Sequence, residues 1–144
     1  MWPYTMVYVE HVGDYKKVGP IMDQIYQTLT KADINQQAGI GVYYDNPATT
    51  PVDQLKSEVG SIINPEDMGK IADLWVEYKT KTIEKANKVV VSFPYKNKLS
   101  YMIGPMKVYP VLEKYIAEKG YVTWNAAIEL YDVANKMIYF MLGK

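Results

Sequence analysis

Residues 127–132 read Ala127-Ile128-Glu129-Leu130-Tyr131-Asp132. The run alternates like a β-strand, with Ile128 and Leu130 on one side and Glu129 and Tyr131 on the other. A carboxylate inside such a strand is costly unless hydrogen-bond donors or a cation meet it. The stretch has a counterpart earlier in the chain, Ile40-Gly41-Val42-Tyr43-Tyr44-Asp45. A second echo links Gly19-Pro20-Ile21 to Gly104-Pro105-Met106. Together the echoes predict an internal duplication.

Working outward, the β-branched and aromatic run 5–11 predicts a strand. Val18, Ile21, Met22, Ile25, Tyr26 and Leu29 follow helical spacing, with Gly19-Pro20 in the first turn, where proline is tolerated. Strands are predicted at 40–44 and 59–63. In the second half, a strand at 88–93 stops at Pro94. A helix over 99–119 carries Met102, Met106, Tyr109, Leu112 and Ile116 on one stripe. Gly104-Pro105 and Pro110 are expected to bend or interrupt it, and Gly120 to end it. Strands at 127–132 and 136–142 close the chain. Each half thus reads strand, helix, strand, strand, with repeat one over about 4–63 and repeat two over about 87–142. Asn64-Pro65-Glu66-Asp67 is a helix-start signal. It opens an expected linker helix over about 65–84, with Ile71, Leu74, Trp75 and Tyr78 on its apolar stripe. The predicted class is α+β: a single domain, residues 1–144, with an antiparallel sheet and two helices on one face.

Composition narrows the function. The 144 residues are 49% hydrophobic and 22% charged, with a formal net charge of zero. Every basic side chain is lysine, so the chain has no positive excess for phosphates and no guanidinium fork for bases. No nucleic-acid partner is expected. Cysteine is absent and His11 is the only histidine. That argues against a disulfide framework, a thiol nucleophile, a metal site or a histidine triad. No cofactor is expected. No apolar run approaches the ~20 residues of a membrane span, and no charged-then-apolar leader opens the chain. The expectation is a soluble, cytoplasmic protein. Lysine-rich runs such as Lys79-Thr80-Lys81 read as solvated faces.

Tyrosine is abundant, 14 residues against 2 Phe and 3 Trp. It suits surfaces that are half apolar and half hydrogen-bonding. Aligning the two echoes puts Val42 opposite Glu129 and places Ile128 and Leu130 under the helices. Glu129, Tyr131, Val42 and Tyr44 then lie on the other face, where the linker helix with Trp75 and Tyr78 would cover them. An apolar pocket with one polar anchor is the usual form of a small-molecule site. The candidate ligand-binding residues are Glu129, Tyr131, Tyr44, Trp75, Tyr8, Tyr78, Tyr101 and Trp124. The plain alternative is that Glu129 is satisfied by backbone or tyrosine hydroxyls and that the aromatics are core.

The motifs, in their order, resemble those of the GyrI-like domain family. They are Gly41-Val42-Tyr43-Tyr44-Asp45-Asn46-Pro47 with Val59-Gly60-Ser61-Ile62, then Phe93-Pro94-Tyr95 and Leu99-Ser100. Tyr109-Pro110-Val111-Leu112 through Tyr115-Ile116 and Ile128-Glu129-Leu130-Tyr131 complete the set. Within that family the chain is most similar to the GyrI-like domain of a testis-expressed endoplasmic-reticulum autophagy receptor. The resemblance implies a curved sheet whose concave face binds small, often cationic and amphipathic molecules, with the strand glutamate supplying negative charge. Some members hydrolyse cyclopropane-containing compounds with a glutamate and a tyrosine. Glu129 takes the glutamate role, and Tyr78, Tyr101 and Tyr131 all remain candidates for the tyrosine. The receptor's membrane anchor and disordered tail have no match in this sequence, so its role is not implied. Three readings follow: a binding module for an apolar cation, a hydrolase of strained electrophiles, and, on fold analogy alone, a protein-interaction module.

Overall fold

The computed structural model describes residues 3–74, 77–84, 87–121 and 126–143. Among these residues seven strands form one sheet: β1 (Tyr4–Val12), β2 (Gln36–Tyr43), β3 (Lys56–Ile63), β4 (Lys79–Ile83), β5 (Val89–Pro94), β6 (Ala127–Asp132) and β7 (Met137–Leu142). Their order across the sheet is β4-β1-β3-β2-β6-β7-β5, and every neighbouring pair is antiparallel. The helices are α1 (Val18–Lys31), α2 (Met68–Ala72) and α3 (Ser100–Glu118). Among the described residues, no helix is long and apolar enough to cross a membrane.

The units β1-α1-β2-β3 and β5-α3-β6-β7 meet back to back through β2 and β6. A two-fold axis normal to the sheet relates β1 to β5, β3 to β7 and β2 to β6. The β2–β6 register pairs Gly41 with Glu129, Ile40 with Leu130 and Val42 with Ile128. Directly paired residues share a face, so Val42 and Glu129 lie on opposite faces. Matching the repeats by their tyrosine and aspartate identities put them one residue out of phase. The face-preserving match pairs Gly41 with Glu129 and Tyr43 with Tyr131.

That correction reverses the layers. Val18 of α1 and Val108, Leu112 and Ile116 of α3 are buried with Tyr43, Val59, Ala127, Ile138 and Phe140. Ile25 and Leu29 of α1 are buried with Val7 and Ile63. Both helices therefore cover the face that carries Glu129. Ile128 and Leu130 belong to the other face, in a cluster with Met6, Ile40, Val42, Ile62 and Met141. The buried stripe of α3 is Ser100, Gly104, Val108, Leu112 and Ile116. Met102 and Met106, expected in the core, are 63% and 74% exposed. A small residue is needed where α3 crosses Phe140, since a Cβ on Gly104 would lie 3.1 Å from that ring.

Two further expectations change. The linker helix exists, but it ends at Ala72, and residues 79–83 form β4 on the edge of the sheet. Lys-Thr-Lys-Thr-Ile has no apolar alternation to announce a strand. Its lysines suit an edge that must not pair with another chain. Pro105 and Pro110 do not interrupt α3, which runs unbroken over 19 residues. Each proline deprives the carbonyl four residues earlier of its helical donor. Those residues, Tyr101 and Met106, are on the solvent side, where water can bond the carbonyls.

Candidate functional site

The main contacts of α1 are with β2 and β3, and those of α3 are with β5 and β7. The central strand β6 runs between the two helical footprints. Glu129 sits there, 6% exposed. Its row across the sheet is Val59, Gly41, Glu129 and Phe140. Tyr43 and Tyr131, one step to either side, lean toward it.

Tyr131 donates its hydroxyl hydrogen to Glu129 Oε2 at 3.0 Å. The Tyr43 and Tyr131 hydroxyls are 2.9 Å apart, so with the Tyr131 hydrogen committed to Glu129, Tyr43 donates to Tyr131. Tyr109 also bonds the carboxylate, and the Tyr43 hydroxyl lies close beside it. Burial pushes the Glu129 carboxyl up, and the surrounding phenols only partly offset it, leaving a pKa of about 7. Burial, and then the charge of Glu129, push Tyr43, Tyr109 and Tyr131 well above the usual phenol range. They are therefore hydrogen-bond donors at neutral pH. Among the described residues no lysine pairs with Glu129; the ion pairs formed are Lys70–Asp67, Lys79–Glu10 and Lys81–Glu58. The carboxylate is satisfied as a hydrogen-bond acceptor but not as a charge.

Space for this cluster comes from the first repeat. A Cβ on Gly41 would lie 2.6 Å from the Tyr43 hydroxyl oxygen, and one on Gly39 would lie 3.3 Å from the Tyr131 ring. The tyrosine rings occupy the volume that side chains at these glycines would take. The aromatic contacts extend in both directions. Tyr15 meets Tyr43 edge-on at 4.8 Å, Tyr101 meets Tyr131 edge-on at 5.5 Å, and Tyr95 lies 5.1 Å from Tyr101. The result is a buried cluster of tyrosines around Glu129. Tyr101, 41% exposed, carries the cluster to the surface. Burial and the neighbouring Tyr95 push the Tyr101 phenol up to about 12.

Of the residues singled out in the sequence, the structure brings Glu129, Tyr131 and Tyr101 together. Tyr8 and Tyr44 lie on the opposite face with Lys81. The Lys81 ammonium sits 4.8 Å from the Tyr8 ring centroid and pairs with Glu58, and Tyr44 donates to Glu58 at 2.6 Å. That lysine is not simply solvated, as its run had suggested. Tyr78 packs beside Ile25, Leu29 and Ile71, away from Glu129, and its buried hydroxyl has no hydrogen-bond partner among the described residues. Trp75 and Trp124 lie outside the described residues. Tyr43, Tyr109 and Tyr15 were missed. The phase error turned Tyr43 to the wrong face, and helical spacing made Tyr109 look like core. Two depressions of ≈ 410 and ≈ 420 Å³ lie away from the carboxylate. One is lined by Tyr95, Lys96, Val133 and Lys136, the other by Tyr26, Thr30 and residues 33–36.

Comparison with known proteins agrees with this architecture. The mouse testis-expressed protein 264 homolog and human testis-expressed protein 264 are each 28% identical over 143 residues, 95% of this chain. The chain spans only 44% and 43% of their respective lengths. The crystal structure of the EcmrR C-terminal domain superposes with a TM-score of 0.65 at 17% identity, covering 98% of this chain and 91% of that one. EcmrR in a cryo-EM complex with DNA gives a TM-score of 0.70 at 17% identity, covering 99% of this chain and 54% of that one. These two likenesses concern the fold. A family model described as the GyrI-like small molecule binding domain matches residues 2–134, and the chain belongs to that family.

Proposed function

We propose that this chain is a binding module that holds an apolar, cationic small molecule at the tyrosine cluster around Glu129. One observation carries the reading: a buried carboxylate is ringed by phenols and has no cationic side chain beside it among the described residues. A ligand cation supplies the missing charge, and in a water-poor site that attraction is far stronger than in bulk solvent. The tyrosine faces add cation–π attraction, and an apolar ligand body replaces water over the rings. A thermal-shift screen with hydrophobic quaternary ammonium compounds tests it. Wild type is expected to be stabilised, and Glu129→Gln to lose most of that shift. No shift with any cation, or equal shifts in the two proteins, contradicts the reading.

A second reading has one observation in its favour. A carboxyl group with a pKa of about 7 is suited to accept a proton from water at neutral pH. With Tyr131 or Tyr101 steadying the attacked centre, Glu129 would act as the general base in hydrolysis of a strained electrophile such as a cyclopropanoid compound. Product formation that disappears in Glu129→Gln supports this reading. Binding without products counts against it.

A further inference from the structure

The ≈ 410 Å³ depression lined by Tyr95, Lys96, Val133 and Lys136 adjoins the tyrosine cluster proposed above as the ligand site. Tyr95 lines the depression and also makes a tilted ring contact with Tyr101, which meets Tyr131 beside Glu129. The two lysines carry no carboxylate partner among the described residues. Lys136 sits in the turn between β6 and β7 at φ 58, a conformation for which Gly or Asn is the unstrained choice. There its carbonyl accepts from the Tyr95 backbone N–H at 2.8 Å. Strand and turn thus hold the two lysine-bearing segments side by side. Val133 opens the turn after β6, four residues beyond Glu129. At about 3.3 Å per residue, its backbone is at most roughly 13 Å from that of Glu129.

We propose that this depression is an anion subsite of the same ligand site, so that the module takes elongated bipolar molecules. The cationic end meets Glu129, an apolar spacer of about ten carbons lies along the tyrosines, and a carboxylate, sulfate or phosphate end meets Lys96 and Lys136. This rests on the reading above of Glu129 as the ligand site. Compact zwitterions, whose charges lie only a few bonds apart, are not expected to meet both ends together.

Three probes test it by isothermal titration calorimetry: undecyltrimethylammonium, ω-trimethylammonio-undecanoate, and the short 4-(trimethylammonio)butanoate. Exposed ion pairs each contribute a small factor, so the long bipolar probe is expected to bind roughly three- to tenfold more tightly than the plain cation. The double variant Lys96→Ala/Lys136→Asn is expected to remove that gain and leave the plain cation's affinity unchanged. The short zwitterion is expected to bind no better than the plain cation. Because the probe comparison is made on wild type, it stands even if the double variant folds poorly. Equal affinities for the two long probes, both weakened in Glu129→Gln, overturn the anion subsite and leave the Glu129 site standing. Affinities unaffected by Glu129→Gln overturn the Glu129 reading and this inference with it.

Discussion

The sheet carries a carboxylate–tyrosine cluster on each face, and the two are finished differently. On the face without α1 and α3, Glu58 accepts from Tyr44 and pairs with Lys81, whose ammonium also lies over the Tyr8 and Tyr44 rings. On the helical face, Glu129 accepts from tyrosines and has no lysine among the described residues. The first is a self-contained aromatic cation site whose cation is part of the chain. The second has the same parts without the cation. Stability alone favours the first arrangement, because a buried unpaired charge is one of the costlier features a core can hold. The contrast is the physical reason that the proposed ligand site is placed at Glu129 rather than at Glu58.

The comparison is broken most sharply by making the same substitution at both carboxylates. The Glu129 carboxyl has a folded pKa of about 7 against an ordinary 4.5. The folded state therefore binds the proton more tightly than the unfolded chain, and the associated stability is fully present below about pH 4.5. It is lost as pH rises through about 7. At pH 8 the ionised group costs on the order of 3 kcal/mol. Glu129→Gln is expected to stabilise the protein at pH 8 by that order, with the gain fading as pH falls toward 4.5. Glu58→Gln leaves Lys81 without its partner and is expected to destabilise by about 1 kcal/mol. Urea melts of both variants across this range read the two signs. Equal signs at pH 8 would erase the distinction between the faces.

Next in size is Gly41→Ala. The added methyl meets the Tyr43 ring, and overpacking of this kind costs about 1–3 kcal/mol. It also displaces the phenol that bonds Tyr131, the donor to Glu129, so cation affinity is expected to fall along with stability. A fall in stability with unchanged affinity would mean that Tyr43 is packing alone. Smaller still is Tyr131→Phe, expected to cost about 1 kcal/mol. Removing a donor that favours the charged carboxylate should push the Glu129 pKa further above 7. Titration of a carbon-13-labelled glutamate side chain followed by NMR reads that shift.

Much of this arrangement was legible in the chain itself. Periodicity and the paired Gly-Pro and strand echoes located six of the seven strands, both long helices and the duplication. The charge inside residues 127–132 pointed to Glu129. What failed was parity. Matching Tyr44 with Tyr131 and Asp45 with Asp132 is off by one residue. In a strand one residue exchanges the faces, so the helices and Tyr43 were assigned to the wrong side of Glu129. Strand β4 stayed hidden because pairing to β1, rather than an apolar pattern, stabilises Lys79–Ile83. Lys81's fold-mate Glu58 lies 23 residues away, beyond the reach of local spacing.

The central claim is that Glu129 meets a ligand's positive charge as an ionised carboxylate. Near pH 7 the free site is about half protonated, so binding a cation must expel a proton. Titrating a hydrophobic quaternary ammonium into the protein at pH 7, in buffers of different ionisation enthalpy, counts that proton directly. Wild type is expected to release about half a proton per ligand bound, and Glu129→Gln none. Binding with no proton release, or with the same release in the variant, would contradict it.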